Sequence, residues 1–286
     1  MSSNYLHSLI LHLTARNDAL IPRTMGHKVH AAFLDLVKQV DQTLSDRLHN
    51  ENGYRPFTVS PLTGGSVQGE QIALRAGHPC RLRLTLLDGG RLWDCLSSRV
   101  LAADDPLIVR LGAADLGLTR LLATPAADPS GWAGFTDWQA LAATPARRHI
   151  TIQFASPTAF NLGDKHFALF PEPKLVWESF MRVWNLYAPP VLHLDRPALT
   201  EFITRAVVVS DYNLSTATLH YPGYTQKGFV GTCTYLMPDA DPRAAQLAAL
   251  AEFSRYAGVG YKTTMGMGQA RPVAPPPYPA ETQVAR

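Results

Sequence analysis

Ten histidines are spread along the 286 residues, and three of them fall where an imidazole could do acid–base work. His27 and His30 are three apart and could share a helical face. His49 follows at the end of the same apolar-periodic stretch, just before Asn-Glu-Asn-Gly. Imidazole titrates near neutral pH, so it can take or give a proton in a transition state for a gain of roughly 10²–10⁴ in rate. A helix C-terminus at His49 would favour the imidazolium by about 0.3–1 kcal/mol. A zinc reading of His27, His30 and His49 lacks the carboxylate or cysteine company and the spacing of metal sites, so no metal and no cofactor is expected.

The second chemical feature is GVGYKTTMGMG, residues 258–268, with two Gly-hydrophobic-Gly clasps. Such a cluster implies positive φ or close approach of the backbone to something. It is not a P-loop; the nearest match to that pattern, GGSVQGEQ, has Glu70 and Gln71 where Lys and Ser/Thr belong. Nor is it a dinucleotide fingerprint, which opens a helix, whereas this loop follows one. Exposed amides with Lys262, Thr263 and Thr264 in the centre would suit a polyanion held through its backbone.

The elements that must position these groups are legible in outline. Residues 5–13 alternate as a strand. Residues 27–49 carry Val29, Phe33, Leu36, Val37, Val40, Leu44 and Leu48 at spacings of three and four, which predicts one amphipathic helix of about six turns. Nineteen residues of straight helix would hold His30 and His49 about 28 Å apart, so joint action requires a break or a bend. Residues 55–62 and 78–88 read as strands, 64–70 as a turn and 91–102 as a helix. A loose Ala/Pro/Gly-rich section, 122–148, holds the expected domain boundary near 145. Residues 149–160 begin a second series: strand, the helix 173–187, strands at 206–221 and 227–237, an Ala/Leu-rich helix 243–258, and a short strand at 269–273. Both halves thus follow β-α-β-β-α-β, so the expected class is α+β with tandem ferredoxin-like (RRM-like) domains. The expected limits are 1–145, 146–272 and a disordered tail at 273–286.

Hydrophobic residues make up 46% and charged residues 17%, enough to build real cores. No apolar run reaches the roughly 20 residues of a membrane span, and the N-terminus lacks the pattern of a signal peptide. Cys80, Cys95 and Cys233 are far apart, as expected of buried thiols in a reducing cytosol. A net charge of +3 decides nothing by itself.

GVGYKTTMGMG resembles the GhGxxxxxGhG loop of the CRISPR-associated repeat-RNA endoribonucleases, the sixth Cas family of the RAMP superfamily. The resemblance extends over nearly the whole chain. Residues 27–62, with a helix ending in RLH and the strand PFTVSPL, look like the family's opening region. FASPTAF, PEPKLVWESFMRVWN and QKGFVG resemble later blocks, and ALAEFSRYAGVGYKTTMGMGQAR closes in the same register.

The resemblance implies two ferredoxin-like domains and a metal-independent nuclease that cuts CRISPR precursor RNA within its repeats to make guide crRNAs. The ribose 2′-OH would attack the adjacent phosphorus, leaving a 2′,3′-cyclic phosphate or its hydrolysed form and a 5′-OH. It implies His49 as the leading catalytic group, His30 as a second, and Arg55 as a cation near the scissile phosphate. RNA would be held by the loop glycines Gly258, Gly260, Gly266 and Gly268 with Lys262, Thr263 and Thr264, and by Arg271, Arg147 and Arg148. The expected partner is CRISPR repeat RNA in a prokaryotic cytoplasm, with other Cas proteins of an effector complex or a second copy of the chain as further partners. No membrane or DNA partner is expected. The rival reading is a RAMP subunit that binds crRNA without cutting it; His49 favours the nuclease, because a pure binder needs no titratable group there. An unrelated RNA-binding module ranks last, since GFVGTCTY only echoes the RNP motif.

Overall fold

The computed structural model describes residues 5–50, 55–88, 90–101, 107–221, 223–238 and 241–274. The first series is β1 (Tyr5–Ala15), α1 (Gly26–Val40), α2 (Gln42–Asn50), β2 (Phe57–Val59), β3 (Pro79–Leu86), α3 (Arg91–Leu101), β4 (Ile108–Leu111), β5 (Ala114–Leu122) and β6 (Gly134–Asp137). Its antiparallel sheet runs β2-β3-β1-β5-β4, and β6 pairs with the start of β1. Strand alternation sends Leu9, Leu11 and Leu13 of β1 and Leu82, Leu84 and Leu86 of β3 to one face, where they bury against Val29, Phe33 and Val37 of α1. The opposite face carries Ser8 and Ile10 beside Arg81 and Arg83.

After the short helix α4 (Trp138–Ala142) the second series begins: β7 (His149–Thr158), α5 (Pro173–Tyr187), α6 (Arg196–Ala206), β8 (Val208–Tyr221), β9 (Tyr224–Leu236), α7 (Arg243–Ala257) and β10 (Ala270–Val273). Its sheet order, β8-β9-β7-β10, is the order β2-β3-β1-β5 of the first sheet repeated. Both are antiparallel with helices packed on one face, so the tandem ferredoxin-like class holds. Trp177 and Trp184 are fully buried, as core residues, and all three cysteines are buried free thiols.

Four local expectations need correction. The helix expected over 27–49 breaks at Asp41, whose backbone is extended at φ −139°, ψ 95°. The Asp41 carboxylate accepts the Leu44 N–H at 2.8 Å and so caps α2, while buried Ser45 donates to the Leu34 carbonyl at 3.0 Å. Val40, counted in the apolar stripe, is 44% exposed at this corner. Second, the loose section 122–148 contains β6 and α4, and Trp138 packs edge-on to Trp184 at 5.2 Å, so the core of the second unit reaches back across residue 145. Third, α6 is capped by Asp195, which accepts from Ala198 N–H at 3.1 Å; the sequence reading gave it no element. Fourth, the turn expected at 64–70 belongs to a small sheet in which Gln71–Leu74 pairs with Ala19–Pro22 and Ser66–Gln68. Of the expected tail, Val273 ends β10, and residues 275–286 lie outside the described residues.

Candidate active site

The glycine loop is laced to the end of β7. Val259 N–H donates to the Gly268 carbonyl at 2.8 Å, Tyr261 N–H to Ala159 at 2.9 Å, and Gly268 N–H to Pro157 at 3.0 Å. Gly260 N–H donates to Ser179 Oγ at 2.9 Å, and Gly258 N–H closes α7 on Ser254. These amides are therefore committed inside the protein, where the sequence reading had them open to a polyanion. The glycines are needed because main chain meets main chain. A β-carbon on Gly268, at φ +68°, would stand 2.0 Å from the Val259 carbonyl oxygen. The loop's crest, a short turn over Thr263–Met265, is turned toward the first unit. There the first residue of α1, Gly26, comes so near that a β-carbon would lie 1.7 Å from the Met265 oxygen.

That contact seats a catalytic-type side chain. His30, one turn into α1, places Nδ1 3.2 Å from the Thr264 carbonyl oxygen and its ring 5.3 Å from Phe57. The carbonyl can only accept, so in the neutral ring Nδ1 carries the proton and the Nε2 lone pair is left for chemistry. Burial first, then the Arg55 guanidinium and, least, His49 lower the His30 pKa to about 4 against the upward pull of the Thr264 carbonyl. His30 is therefore neutral at physiological pH and fit to act as a base.

His49 is exposed on the last turn of α2. Arg55 lies across that helix end: its Nε donates to the Leu48 carbonyl at 2.8 Å and Nη2 to the His49 carbonyl at 3.3 Å. Those carbonyls have no partner within the helix, and a cation there also satisfies the helix dipole. The break at Asp41 removes the separation of about 28 Å that a straight helix would impose. His30, His49 and Arg55 thus form one electrostatically coupled group beside the glycine loop.

The other expected RNA-holding residues do not all converge. Lys262 has its ammonium among tyrosine rings, donating to Tyr224 Oη. Arg271 on β10 donates to Gln153 Oε1 at 2.9 Å and to the Ser130 carbonyl at 2.6 Å. Arg147 forms an ion pair with Glu252 at 2.9 Å. Arg147 and Arg148 precede β7 while the loop binds its far end, ten residues or about 33 Å away along the strand, so those two arginines stand apart from the site.

Sequence reasoning named Arg271 but missed the basic group it joins, on the other faces of the sheets. Arg83 is buried and donates to Ser8 Oγ at 2.9 Å, and also bonds Gln269 Oε1 and the Arg255 carbonyl. Burial, then the Arg255 charge, lowers its pKa to about 9. Arg83 and Arg271 each lie over the Trp132 ring, 4.6 and 4.4 Å from its centroid. Arg83 and Trp132, with Arg81, Ser60 and Ser156, line a cleft between the units of about 320 Å³, and Arg271 reaches it only through the Trp132 ring. The readable signal was the pair Arg81 and Arg83, two apart on a strand and opposite in phase to its leucines.

Asp128 holds the Trp132 segment in place. It accepts from Ser130 Oγ at 2.7 Å, Trp132 N–H at 2.9 Å and Ala133 N–H at 2.8 Å, and it lies 3.5 Å from Arg81. Burial pushes its pKa up, but these hydrogen bonds prevail and hold it at about 2. Asp128→Ala is expected to lower stability by about 2–4 kcal/mol at neutral pH, chiefly because it strands the Trp132 and Ala133 N–H donors, since Arg81 is partly exposed and keeps Ser130. A folded-state pKa below the unfolded value of about 3.9 stabilises above that pH and ceases to as pH falls through about 2. Urea denaturation of both proteins from pH 7 to 2 should show the difference shrinking at the acid end.

Comparison with known proteins now bears on this geometry. Residues 5–143 match the CRISPR Cas6 N-terminal domain, and residues 152–270 match the CRISPR-associated endoribonuclease Cas6 family. A CRISPR-associated endoribonuclease Cas6 from Mycobacterium tuberculosis is 29% identical over 135 residues, 46% of this chain. That match spans 42% of the mycobacterial protein, less than half its length. Among solved structures, a Cas6 (TTHB231) product complex is 29% identical and superposes with a TM-score of 0.79, covering 94% of this chain and all of the other. A Cas6 (TTHA0078) substrate mimic complex is 28% identical, with a TM-score of 0.69, and covers 95% of this chain and all of the other. With both halves matched in order, the chain belongs to the CRISPR-associated endoribonuclease Cas6 family.

Proposed function

We propose that the protein cuts CRISPR precursor RNA within its repeats by metal-independent transesterification, yielding guide crRNAs. The observation that carries this reading is the seat of His30 between the Thr264 carbonyl and Arg55, coupled to His49. His30 Nε2 takes the proton of the ribose 2′-OH as the 2′-oxygen bonds to phosphorus. The P–O5′ bond breaks, and His49 donates a proton to the departing 5′-oxygen. The products are a 2′,3′-cyclic phosphate, open to later hydrolysis, and a 5′-OH. Arg55, fixed by the α2 carbonyls, offers its remaining N–H groups to the charge that builds on the phosphoryl oxygens.

In this reading residues 1–145 supply the acid–base group and residues 146–272 the glycine loop that orients it. Thr263 and Thr264 lie at the crest nearest the reacting phosphate. Gly258, Gly260, Gly266 and Gly268 act by shaping that crest, and Arg271 lies over Trp132 beside the basic cleft of Arg81 and Arg83 that the strand would follow. Arg147 and Arg148 are off this path. Among the described residues no helix is long and apolar enough to cross a membrane.

Cleavage of the cognate repeat RNA in excess EDTA should give a single cut within the repeat, with a 2′,3′-cyclic phosphate on the upstream fragment. A substrate carrying a 2′-deoxy sugar at that position should bind and stay intact. Loss of cutting in EDTA, or cutting of the deoxy substrate, would overturn the mechanism. A protein that binds the repeat and never cuts it would instead be a non-catalytic crRNA-binding subunit, the reading that His30 and His49 disfavour.

A further inference from the structure

Lys262 is one of three non-glycine residues with positive φ among those described, at +56°, a conformation that a side chain disfavours. Its ammonium lies 4.2 Å from the centroid of Tyr224, 4.7 Å from Tyr221 and 5.1 Å from Tyr261, and donates to Tyr224 Oη. Ring faces attract a cation through their quadrupoles, and three of them make a box. Tyr221 and Tyr224 flank the β8–β9 turn and stack on each other at 5.0 Å with 12° between planes. Lys262 therefore ties the tip of the long hairpin to the glycine loop.

The tie continues on both sides. Tyr221 Oη donates to the Met265 carbonyl at 3.3 Å, the same oxygen that Gly26 abuts. His220 N–H donates to Thr24 Oγ1 at 3.1 Å just ahead of α1, and its ring stands 3.5 Å from the Glu70 carboxylate. Between these anchors lies Thr264, whose carbonyl meets His30.

We propose that Lys262 is a positioning residue for cleavage: boxed by the three tyrosines, it sets the 263–265 turn so that Thr264 holds His30, and it keeps the β8–β9 tip beside α1. The proposal rests on the reading of His30 given above, and it replaces a direct contact between this lysine and RNA phosphate. A residue acting through geometry should change the rate of bound substrate and leave affinity alone.

The test uses the full chain with three variants. Lys262→Met keeps the stem and loses the charge, Lys262→Arg keeps a cation for the rings, and Lys262→Gly relieves the left-handed backbone while removing the side chain. Repeat-RNA affinity, single-turnover cleavage at saturating protein, and the titration of the His30 ring by NMR are measured for each. Lys262→Met and Lys262→Gly are expected to bind RNA within about threefold of the native protein and to cleave about tenfold more slowly, with Lys262→Arg restoring most of the rate. The charged or titratable groups facing His30 are Arg55 and His49, both unchanged. Loosening the Thr264 carbonyl removes an upward pull, so the His30 midpoint should move to lower pH in Lys262→Met and Lys262→Gly and stay in place in Lys262→Arg. A tenfold loss of affinity with an unchanged saturated rate would make Lys262 a phosphate contact and overturn the proposal. Native rate and native titration in Lys262→Gly would do the same. If His30→Ala cleaved normally the catalytic reading would fail, and the NMR titration would still decide whether Lys262 positions the ring.

Discussion

His30→Ala is expected to slow cleavage of bound repeat RNA by at least about a hundredfold while leaving affinity within a few-fold. A general base contributes roughly 10²–10⁴, and His30 offers an unprotonated Nε2 because Thr264 occupies Nδ1. His49→Ala should fall in the same range, and the double variant should lose less than the product of the two, since acid and base serve one transition state. The pH dependence gives a further sign. His30 sits at about 4, so the rate should rise with pH through that value as the ring becomes neutral. Arg55 is one of the groups holding that value down, so Arg55→Ala should move the limb to higher pH, toward the ordinary 6.5. Single-turnover rates from pH 3.5 to 8 read both effects. Native rates in both histidine variants would refute the assignment.

Replacing the loop glycines should also cost stability. Gly268→Val places a side chain at φ +68° and drives its β-carbon into the Val259 carbonyl. Left-handed strain of about 1–3 kcal/mol and overpacking of similar size together predict a loss of about 2–6 kcal/mol. Gly26→Ala carries no left-handed penalty, yet its methyl group would meet the Met265 oxygen at 1.7 Å. Backbone must give way there, so α1 and the loop should separate and His30 should lose its carbonyl. Cleavage is expected to fall more than the urea midpoint does. Gly69→Ala is the control: nothing lies within 4 Å of its β-carbon, and φ +59° alone should cost about 1 kcal/mol. A Gly26→Ala protein that cuts and unfolds like the native chain would show that the abutment does not matter.

Much of this molecule follows from the order of its residues. Strand character in residues 5–13, 78–88 and 149–160 could be read from the residues, and the repeated β-α-β-β-α-β order identifies two ferredoxin-like units. The clasps of residues 258–268 could be read as a place of close backbone approach, because glycine carries that meaning in any context. Residue type made imidazoles and guanidinia candidates for chemistry, but with ten histidines and 26 lysines and arginines it was the family resemblance that singled out His30, His49 and Arg55.

What the sequence could not decide is what those residues meet. The apolar spacing from Val29 to Leu48 runs straight through Asp41, and only the packing of both segments on the sheet makes its carboxylate a cap instead of a helix interior residue. An amide is open or committed according to partners far along the chain: Gly260 bonds Ser179, and His30 meets Thr264 across 234 residues of sequence. Lys262 likewise reads as a free charge until the hairpin folds its tyrosines around it. Local pattern fixes which way a side chain faces, because backbone periodicity is short-ranged. Contact between distant segments is set by the docking of whole elements, and that docking assembled the imidazoles, the guanidinium and the loop into one site.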